Sequence, residues 1–160
     1  MTSKQRFLAA IERRAPDRLP VATHHVMPYF LNRYLGGMDA LDFHKAFGFD
    51  PIVWLSPLKP DAASGQYLDK ETGILCSGNW RLETEEIPGQ AYPTKRYRFV
   101  TPRKTLTTVM QSNDITSWTV EHLVKEKSDI DIIADYAPHQ RCDMEAVNAR
   151  AGVLGEDALV

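Results

Sequence analysis

The chain has little cysteine, no long apolar run and no marked excess of charge of either sign. Its 160 residues include two cysteines, Cys76 and Cys142, which lie far apart in the sequence. Two separated thiols do not form the framework of a small disulfide-rich domain, and no cysteine or histidine spacing resembles a zinc finger or zinc ribbon. We therefore expect two reduced thiols in a cytoplasmic protein.

The same absences argue against two classes of partner. The formal net charge is -2, so no basic excess favours nucleic acid or an anionic membrane surface. No segment approaches the roughly 18 apolar residues of a membrane span. The short apolar stretch at residues 7–11 has charge on both sides, unlike a secretory signal. We expect neither a nucleic acid nor a membrane as the partner.

Helical and extended patterns alternate in the first third of the chain. Residues 3–14 predict an amphipathic helix with Ser3 as its N-cap. Pro28 and Asp39 are good starts for two further helices, at residues 28–35 and 40–47. Apolar runs at residues 19–23 and 50–55 predict buried strands. Strands that are separated by helices favour a parallel sheet.

The pattern changes after Pro57. Residues 57–78 are rich in Pro, Gly, Ser and Asp and predict a loop. Residues 80–87 and 95–100 then alternate polar and apolar side chains, and residues 106–111 and 115–124 are rich in Thr, Val and aromatic residues. All four segments predict half-exposed antiparallel strands. Two more helices are predicted at residues 128–137 and 139–151, with Ser128 opening the first and Gly152 ending the second. A further strand is expected from Ala158.

Three ordered strings resemble one family. Residues 6–21 read RFLAAIERRAPDRLPV, residues 47–53 read FGFDPIV, and residues 101–106 read TPRKTL, followed by WTVEHLVK at residues 118–125. Together they resemble the N-terminal portion of the uroporphyrinogen decarboxylase superfamily. The last string resembles the branch related to cobamide-dependent methyltransferases. The resemblance implies an α/β fold, namely the N-terminal part of a (β/α)8 TIM barrel with an antiparallel β-hairpin insertion.

A complete barrel of this kind needs roughly 250 residues. We therefore expect residues 1–160 to be a single incomplete domain, with the barrel start at 1–56, a loop and β-hairpin region at 57–125, and helices and the next strand at 126–160. The expected protein is a fragment of a superfamily enzyme, a decarboxylase or a methylcobamide-type methyltransferase, that is inactive alone. An open sheet edge would favour a homodimer or a complementing C-terminal half as partner.

Two departures from the family pattern argue against porphyrinogen chemistry. Where true decarboxylases have an arginine-rich segment after the first strand, this chain has THHVMPY at residues 23–29. A mostly neutral histidine cannot replace a bidentate guanidinium. The family's Phe-Ser-Asp after the second strand becomes Leu55-Ser56-Pro57, and proline offers no acceptor to a pyrrole N–H. The methyltransferase branch fits better, with a small molecule or a methylated corrinoid as substrate.

The resemblance implies zinc and a corrinoid as cofactors, with zinc ligands beyond residue 160, so we expect no cofactor site in this chain. Because the carboxyl ends of barrel strands line the active site, the pocket candidates follow the two predicted strands. They are His24, His25, Tyr29, Arg33, Trp54 and Ser56. For each of them, ordinary packing or surface contact is the competing interpretation. An alternative for the whole chain is a non-catalytic binding or assembly module that uses the aromatic hairpin surface at residues 80–124.

Overall fold

The computed structural model describes residues 1–23 and 25–160 and shows a mixed α/β protein with five α-helices and two antiparallel sheets. In the described part of the chain, the strands do not close into a barrel. The residues form two compact units. Unit 1 comprises residues 1–57 and 142–160, and unit 2 comprises residues 58–141. The expectation of one incomplete domain remains a prediction.

Unit 1 contains four helices whose ends follow local rules. They are α1 (Ser3–Ile11), α2 (Pro28–Tyr34), α3 (Ala40–Ala46) and α5 (Met144–Leu154). As predicted, Pro28 opens α2 and the Asp39 side chain caps α3 by accepting a hydrogen bond from the amide of Leu41. Gly48 follows α3 with a φ of 70°, a left-handed conformation that glycine adopts without steric cost.

Three extended segments of unit 1 lie side by side. The amide of Asp50 donates to the carbonyl of Val21 (2.6 Å). Ile52 and Leu159 form a parallel bridge, in which the Val53 amide donates to Leu159 and the Leu159 amide donates to Pro51. Helices α2 and α3 connect the first segment with the second. The Ile52–Leu159 bridge agrees with the parallel arrangement that the alternation of helices and strands predicts.

A buried charge network joins α1 to the first two extended segments. The carboxylate of Asp50 is fully buried and accepts hydrogen bonds from the Ser3 hydroxyl, the guanidinium groups of Arg6 and Arg18, and the Val21 amide. Burial alone would raise the pKa of Asp50, but the hydrogen bonds from Val21, Ser3 and Arg18 outweigh it and hold that pKa below its usual value. The network fixes the start of the first segment.

Asp17 completes the network from the other side of Arg6. Its carboxylate accepts from Arg6 Nε at 2.6 Å and Nη2 at 3.0 Å, and from the N-terminal ammonium of Met1 at 2.9 Å. The hydrogen bond from Arg6, followed by that from the ammonium group, lowers the pKa of Asp17 well below its usual value. Arg6, which is 7% exposed, therefore has carboxylates on both sides.

Unit 2 is built on a four-stranded antiparallel meander. Its strands are β3 (Arg81–Glu86), β4 (Thr94–Val100), β5 (Thr105–Ser112) and β6 (Ser117–Glu121), paired in chain order. The sequence predicted these four strands correctly, the first two from their alternation and the last two from their content of Thr, Val and aromatic residues. Before them, a 3-10 turn (Ala62–Ser64) and a two-stranded sheet, β1 (Tyr67–Leu68) with β2 (Leu75–Cys76), occupy the segment that was predicted as a loop.

The core of unit 2 lies between one face of the meander and helix α4 (Lys127–Tyr136). It consists of Trp80, Phe99, Leu106 and Ile132. Trp80 and Phe99 stack with their ring centroids 4.9 Å apart. The opposite face of the meander carries cross-strand ion pairs, in which Glu85 accepts from Arg96 and Arg98.

A second buried carboxylate holds α4. Asp129 is fully buried and accepts from Lys104 Nζ at 2.6 Å and from the amides of Lys125 and Glu126. The hydrogen bond from Lys104, followed by that from the Lys125 amide, lowers the pKa of Asp129 to about 2. The string at residues 101–106, which carries part of the family resemblance, thus tethers α4 to the turn before β5.

Several predicted boundaries are wrong, and local capping explains most of them. Thr2, not Ser3, caps α1, because its side chain pairs reciprocally with Gln5 in a capping box. Glu126, not Ser128, caps α4, in a box with Asp129. Helix α5 begins only at Met144, because Asp143 accepts from the amides of Glu145 and Ala146. Helix α5 also continues through Gly152 and is capped by Gly155 instead. The position of Gly152 is open, since a β-carbon there would meet no neighbouring atom within 4 Å.

The first apolar segment is less buried than predicted. Leu19 is 80% exposed and Val21 is 47% exposed, although the segment is held by the Asp50 network. In the second segment, Pro51 is fully buried, whereas Trp54 is 69% exposed. In the described ranges no helix is long and apolar enough to cross a lipid bilayer.

Candidate functional site

A pocket opens at the carboxyl ends of the first two extended segments of unit 1. Its cavity volume is about 270 Å³. The first segment contributes Thr23, His25 and Val26, and the second contributes residues 51–54. Helix α3 with its cap supplies Asp39, Ala40, Leu41 and His44, and helix α5 supplies Arg150. The volume is slightly below the roughly 300 Å³ at which typical small-molecule pockets begin.

Two polar side chains meet in the wall of this pocket. The Oγ1 atom of Thr23 lies 3.2 Å from Nε2 of His44, and Nδ1 of His44 lies 2.6 Å from the carbonyl oxygen of Ala40. The His44 residue is only 6% exposed. The ring faces Phe43 and Phe49 edge-on, with centroids 5.7 and 6.2 Å away. Packing and hydrogen bonding therefore fix its orientation.

The partners of His44 assign its protons in the neutral form. A carbonyl oxygen only accepts, so Nδ1 must carry the hydrogen that is donated to Ala40. In neutral imidazole this leaves Nε2 as an acceptor, and the Thr23 hydroxyl donates to it. The arrangement is a hydroxyl next to a base that a third group orients. Such a geometry can polarise the hydroxyl or take a proton through it.

The charged groups at the pocket differ in how they are compensated. The Asp39 carboxylate is used by the amide of Leu41 (2.7 Å). Arg150 is exposed on α5, and it forms no ion pair with any other residue that the structure describes. An uncompensated guanidinium at the rim makes this pocket suited to an anionic group.

The structure brings two of the predicted site residues together. His25 and Trp54 both line the pocket, the first after segment one and the second at the end of segment two. Ser56 is exposed and follows two residues later, outside the lining. His24 lies outside the described residues.

The other two predicted residues, Tyr29 and Arg33, lie on α2 and contact a different neighbour. The Tyr29 ring packs edge-on against Tyr34, with 6.4 Å between the centroids, and the Arg33 guanidinium lies 5.9 Å from the centre of the same Tyr34 ring. Neither residue belongs to the lining of the pocket as far as the structure describes it. The i to i+4 spacing that suggested a shared position gives them a common aromatic contact on the helix.

Sequence reasoning missed Thr23, His44 and Arg150 as pocket residues. His44 was not among the predicted pocket residues, although its place on α3, the helix before segment two, could have indicated this end of the two segments. Thr23 directly precedes the predicted pair His24 and His25 and could have been included with them. Nothing in the sequence indicates Arg150, because its position depends on how α5 packs.

The residues of this chain do not fit the zinc centre that the family resemblance implies. Among residues 1–23 and 25–160, no three His, Cys, Asp or Glu side chains are grouped so that they could hold a metal ion. Cys76 is buried in unit 2, and burial, followed by the nearby charge of Asp69, raises its thiol pKa. A raised pKa disfavours the thiolate that zinc requires.

The aromatic surface of the hairpin region is smaller than predicted. Trp80 was expected to cover the barrel or a neighbouring chain, but it is 5% exposed in the core of unit 2. Tyr97 packs partly against the same core. Tyr92 and Trp118 form an edge-on pair, with 5.1 Å between the centroids, away from that core. The pocket of unit 1 is therefore the stronger candidate site.

Comparison of the chain with protein-family models, with curated proteins and with solved structures finds no match.

Proposed function

We propose that this chain supplies the N-terminal strands of a (β/α)8 barrel of the uroporphyrinogen decarboxylase superfamily, and that its pocket forms part of a small-molecule site. One observation carries the proposal. Ile52 and Leu159 form a parallel bridge, the amide of Asp50 donates to Val21, helices connect the segments that contain Val21 and Asp50, and the pocket opens where these two segments end. In parallel α/β folds, ligands bind at the carboxyl ends of the strands.

The buried charge network is consistent with this proposal. The string at residues 6–21 carries the most specific part of the resemblance. Within it, Arg6, Asp17 and Arg18 form one hydrogen-bonded network with Asp50 of the second string. Such a network gives both strings a common structural task, which is to set the position of the first two segments relative to α1.

The described pocket lining argues against porphyrinogen decarboxylation, and the resemblance then leaves the methyltransferase branch. Porphyrinogen binding needs several cationic groups for acidic side chains, together with an acceptor for the pyrrole N–H groups. Here the described lining offers one guanidinium, Arg150, and the Asp39 carboxylate already caps α3. Residues 55–57 add no carboxylate. We propose that the protein belongs with the cobamide-dependent methyltransferase branch.

Equilibrium dialysis of the whole chain against two probes tests this proposal. The probes are methylcobalamin and uroporphyrinogen. We expect methylcobalamin to be retained and uroporphyrinogen not to be retained. Trp54→Ala should weaken the retention, because it removes an exposed aromatic surface at the pocket. Trp118→Ala, in unit 2, is the matched control and should leave retention unchanged.

Two results would contradict the proposal. The first is retention of uroporphyrinogen in preference to methylcobalamin, which would restore porphyrinogen chemistry. The second is retention of neither probe, which would remove the link between this pocket and the superfamily. Coproporphyrinogen formation by the chain would also count against it, since the pocket lacks the groups for decarboxylation.

A further inference from the structure

We propose that Thr23 and His44 form a paired recognition element that selects, in this pocket, a small organic anion bearing a hydroxyl group. The proposal deepens the proposed function, on which it rests, because it names the chemical class of ligand that the same pocket takes. It follows from the hydrogen-bond capacity of three side chains: Thr23, His44 and Arg150.

The hydrogen bonds of His44 with Ala40 and Thr23 have defined directions. In the neutral ring, the Ala40 carbonyl requires the hydrogen of His44 to be on Nδ1, so Nε2 accepts and the single hydroxyl hydrogen of Thr23 points at Nε2. A threonine hydroxyl has one hydrogen and two lone pairs. Once its hydrogen is used, Thr23 presents only acceptor capacity to the pocket. The complementary ligand group at that point is a donor, such as an O–H.

The fixed position of the His44 ring keeps the Thr23 hydrogen bond in this direction. The His44 ring is buried, oriented by a backbone carbonyl and packed edge-on against Phe43 and Phe49. A surface hydroxyl could rotate to suit either a donor or an acceptor. Thr23 cannot do so without giving up the bond to Nε2, and a buried acceptor left without a partner is costly. The pair therefore discriminates between ligands rather than accepting both kinds.

The charge of Arg150 and the volume of the cavity further define the ligand. Arg150 lines the same pocket without an ion pair among the described residues. A guanidinium binds a carboxylate through two parallel hydrogen bonds. The cavity of about 270 Å³ has room for a small anion, whereas a molecule as large as methylcobalamin could reach into it only with one edge. The combination of a cation with a directed acceptor fits a short hydroxy acid.

Isothermal titration calorimetry with two matched pairs of acids tests the proposal. The pairs are glycolate with acetate, and 3-hydroxypropionate with propionate; each pair shares its carboxylate and differs by one hydroxyl. We expect the hydroxylated member of at least one pair to bind about tenfold more tightly, which is the value of one well-placed hydrogen bond. Equal affinities within both pairs, or no binding of any of the four acids, would overturn the proposal.

Three variants assign the effect to named groups. Thr23→Val keeps the shape of the side chain and should abolish the preference for the hydroxylated acid. Thr23→Ser should retain it, which a purely packing role for the threonine methyl would not predict. Arg150→Gln is an exposed substitution that should weaken all four acids by roughly tenfold or more while preserving the hydroxyl preference. A preference that survives in Thr23→Val would overturn the assignment.

The tautomer of His44 gives a readout that does not depend on ligand. Nitrogen-15 chemical shifts of the imidazole should show Nδ1 protonated and Nε2 unprotonated when the ring is neutral. The opposite tautomer would contradict the direction of the Thr23 hydrogen bond. Failure of the acid titrations together with retention of methylcobalamin would refute the recognition element alone. Failure of methylcobalamin retention with a clear hydroxyl preference would refute the family assignment alone.

Discussion

Replacing the buried carboxylate of Asp50 should destabilise unit 1 more than any other charge-removing substitution in that unit. Asp50→Asn keeps the shape of the side chain but removes its charge and one of its two acceptor oxygens. Asp50 is fully buried and accepts from Ser3, Arg6, Arg18 and Val21. The amide that replaces one oxygen is a donor, so it would face a guanidinium that is also a donor.

The expected loss of stability depends on the partners that Arg6 and Arg18 keep when Asp50 loses its charge. Removing one member of a buried ion pair generally costs about 3–5 kcal/mol, because the other charge stays buried without compensation. Arg6 is 8% exposed in its side chain but retains Asp17, while Arg18 is 44% exposed and can be solvated. Both facts place the expected cost at the lower end, about 3 kcal/mol.

Hydrogen exchange measures this cost locally. A loss of about 3 kcal/mol should speed the exchange of the α1 amides on the order of 100-fold. The matched control is Asp157→Asn in the same unit, which removes an exposed ion pair with Lys45 and should cost less than about 1 kcal/mol. Exchange of the α1 amides in Asp50→Asn within about threefold of the unmodified chain would refute the reasoning.

Further predictions concern other parts of the structure. The pKa values of Asp50 and Asp129 lie below the usual 3.8 in the folded protein, that of Asp129 at about 2. The two carboxylates therefore stabilise the fold fully well above pH 4, and this stabilisation is lost as the pH falls through the pKa values of the folded protein. Acid unfolding monitored by circular dichroism will show this loss. Lys104→Met should raise the pKa of Asp129 in a carbon-13 NMR titration, whereas Lys70→Met, in an exposed turn, should not. Leu106→Ala, at 2% exposure, should destabilise the β4 and β5 amides by about 2–5 kcal/mol in hydrogen exchange, and protection equal to the unmodified chain would contradict the described core. Arg13 has a φ of 59° at the end of α1, so Arg13→Gly should raise the free energy of unfolding in urea by roughly 1 kcal/mol, and a decrease would argue against that conformation.

Local signals in the sequence predict much of the secondary structure. Asp39 and Gly48 bound α3 as expected because a cap and a left-handed glycine act within a few residues. The meander follows from the alternation in residues 80–87 and 95–100 and from the Thr, Val and aromatic content of the two later segments. The same alternation could also have indicated that Trp80 and Leu82 share a face with Phe99, since Leu82 and Phe99 are directly opposite in the sheet.

The candidate site was harder to predict because it depends on contacts between distant segments. His25 and Trp54 were expected at the ends of the predicted strands, and the pocket includes both. The pairing of Thr23 with His44 joins residues 21 positions apart, and Arg150 comes from a helix near the other end of the sequence. Periodicity describes a single element and contains no information about which neighbour it meets. The partners of Asp50 were equally hidden, since a charged residue before a strand usually predicts only a turn.

The binding of methylcobalamin in the unit 1 pocket can be tested most directly by NMR, by following the backbone amide chemical shifts while the whole chain is titrated with methylcobalamin. We expect the largest chemical-shift changes at Thr23, Val26 and residues 52–54, and smaller changes around His44 and Arg150. All of these residues line one pocket. Changes confined to the β3–β6 sheet of unit 2, or no changes at saturating methylcobalamin, would contradict binding in this pocket.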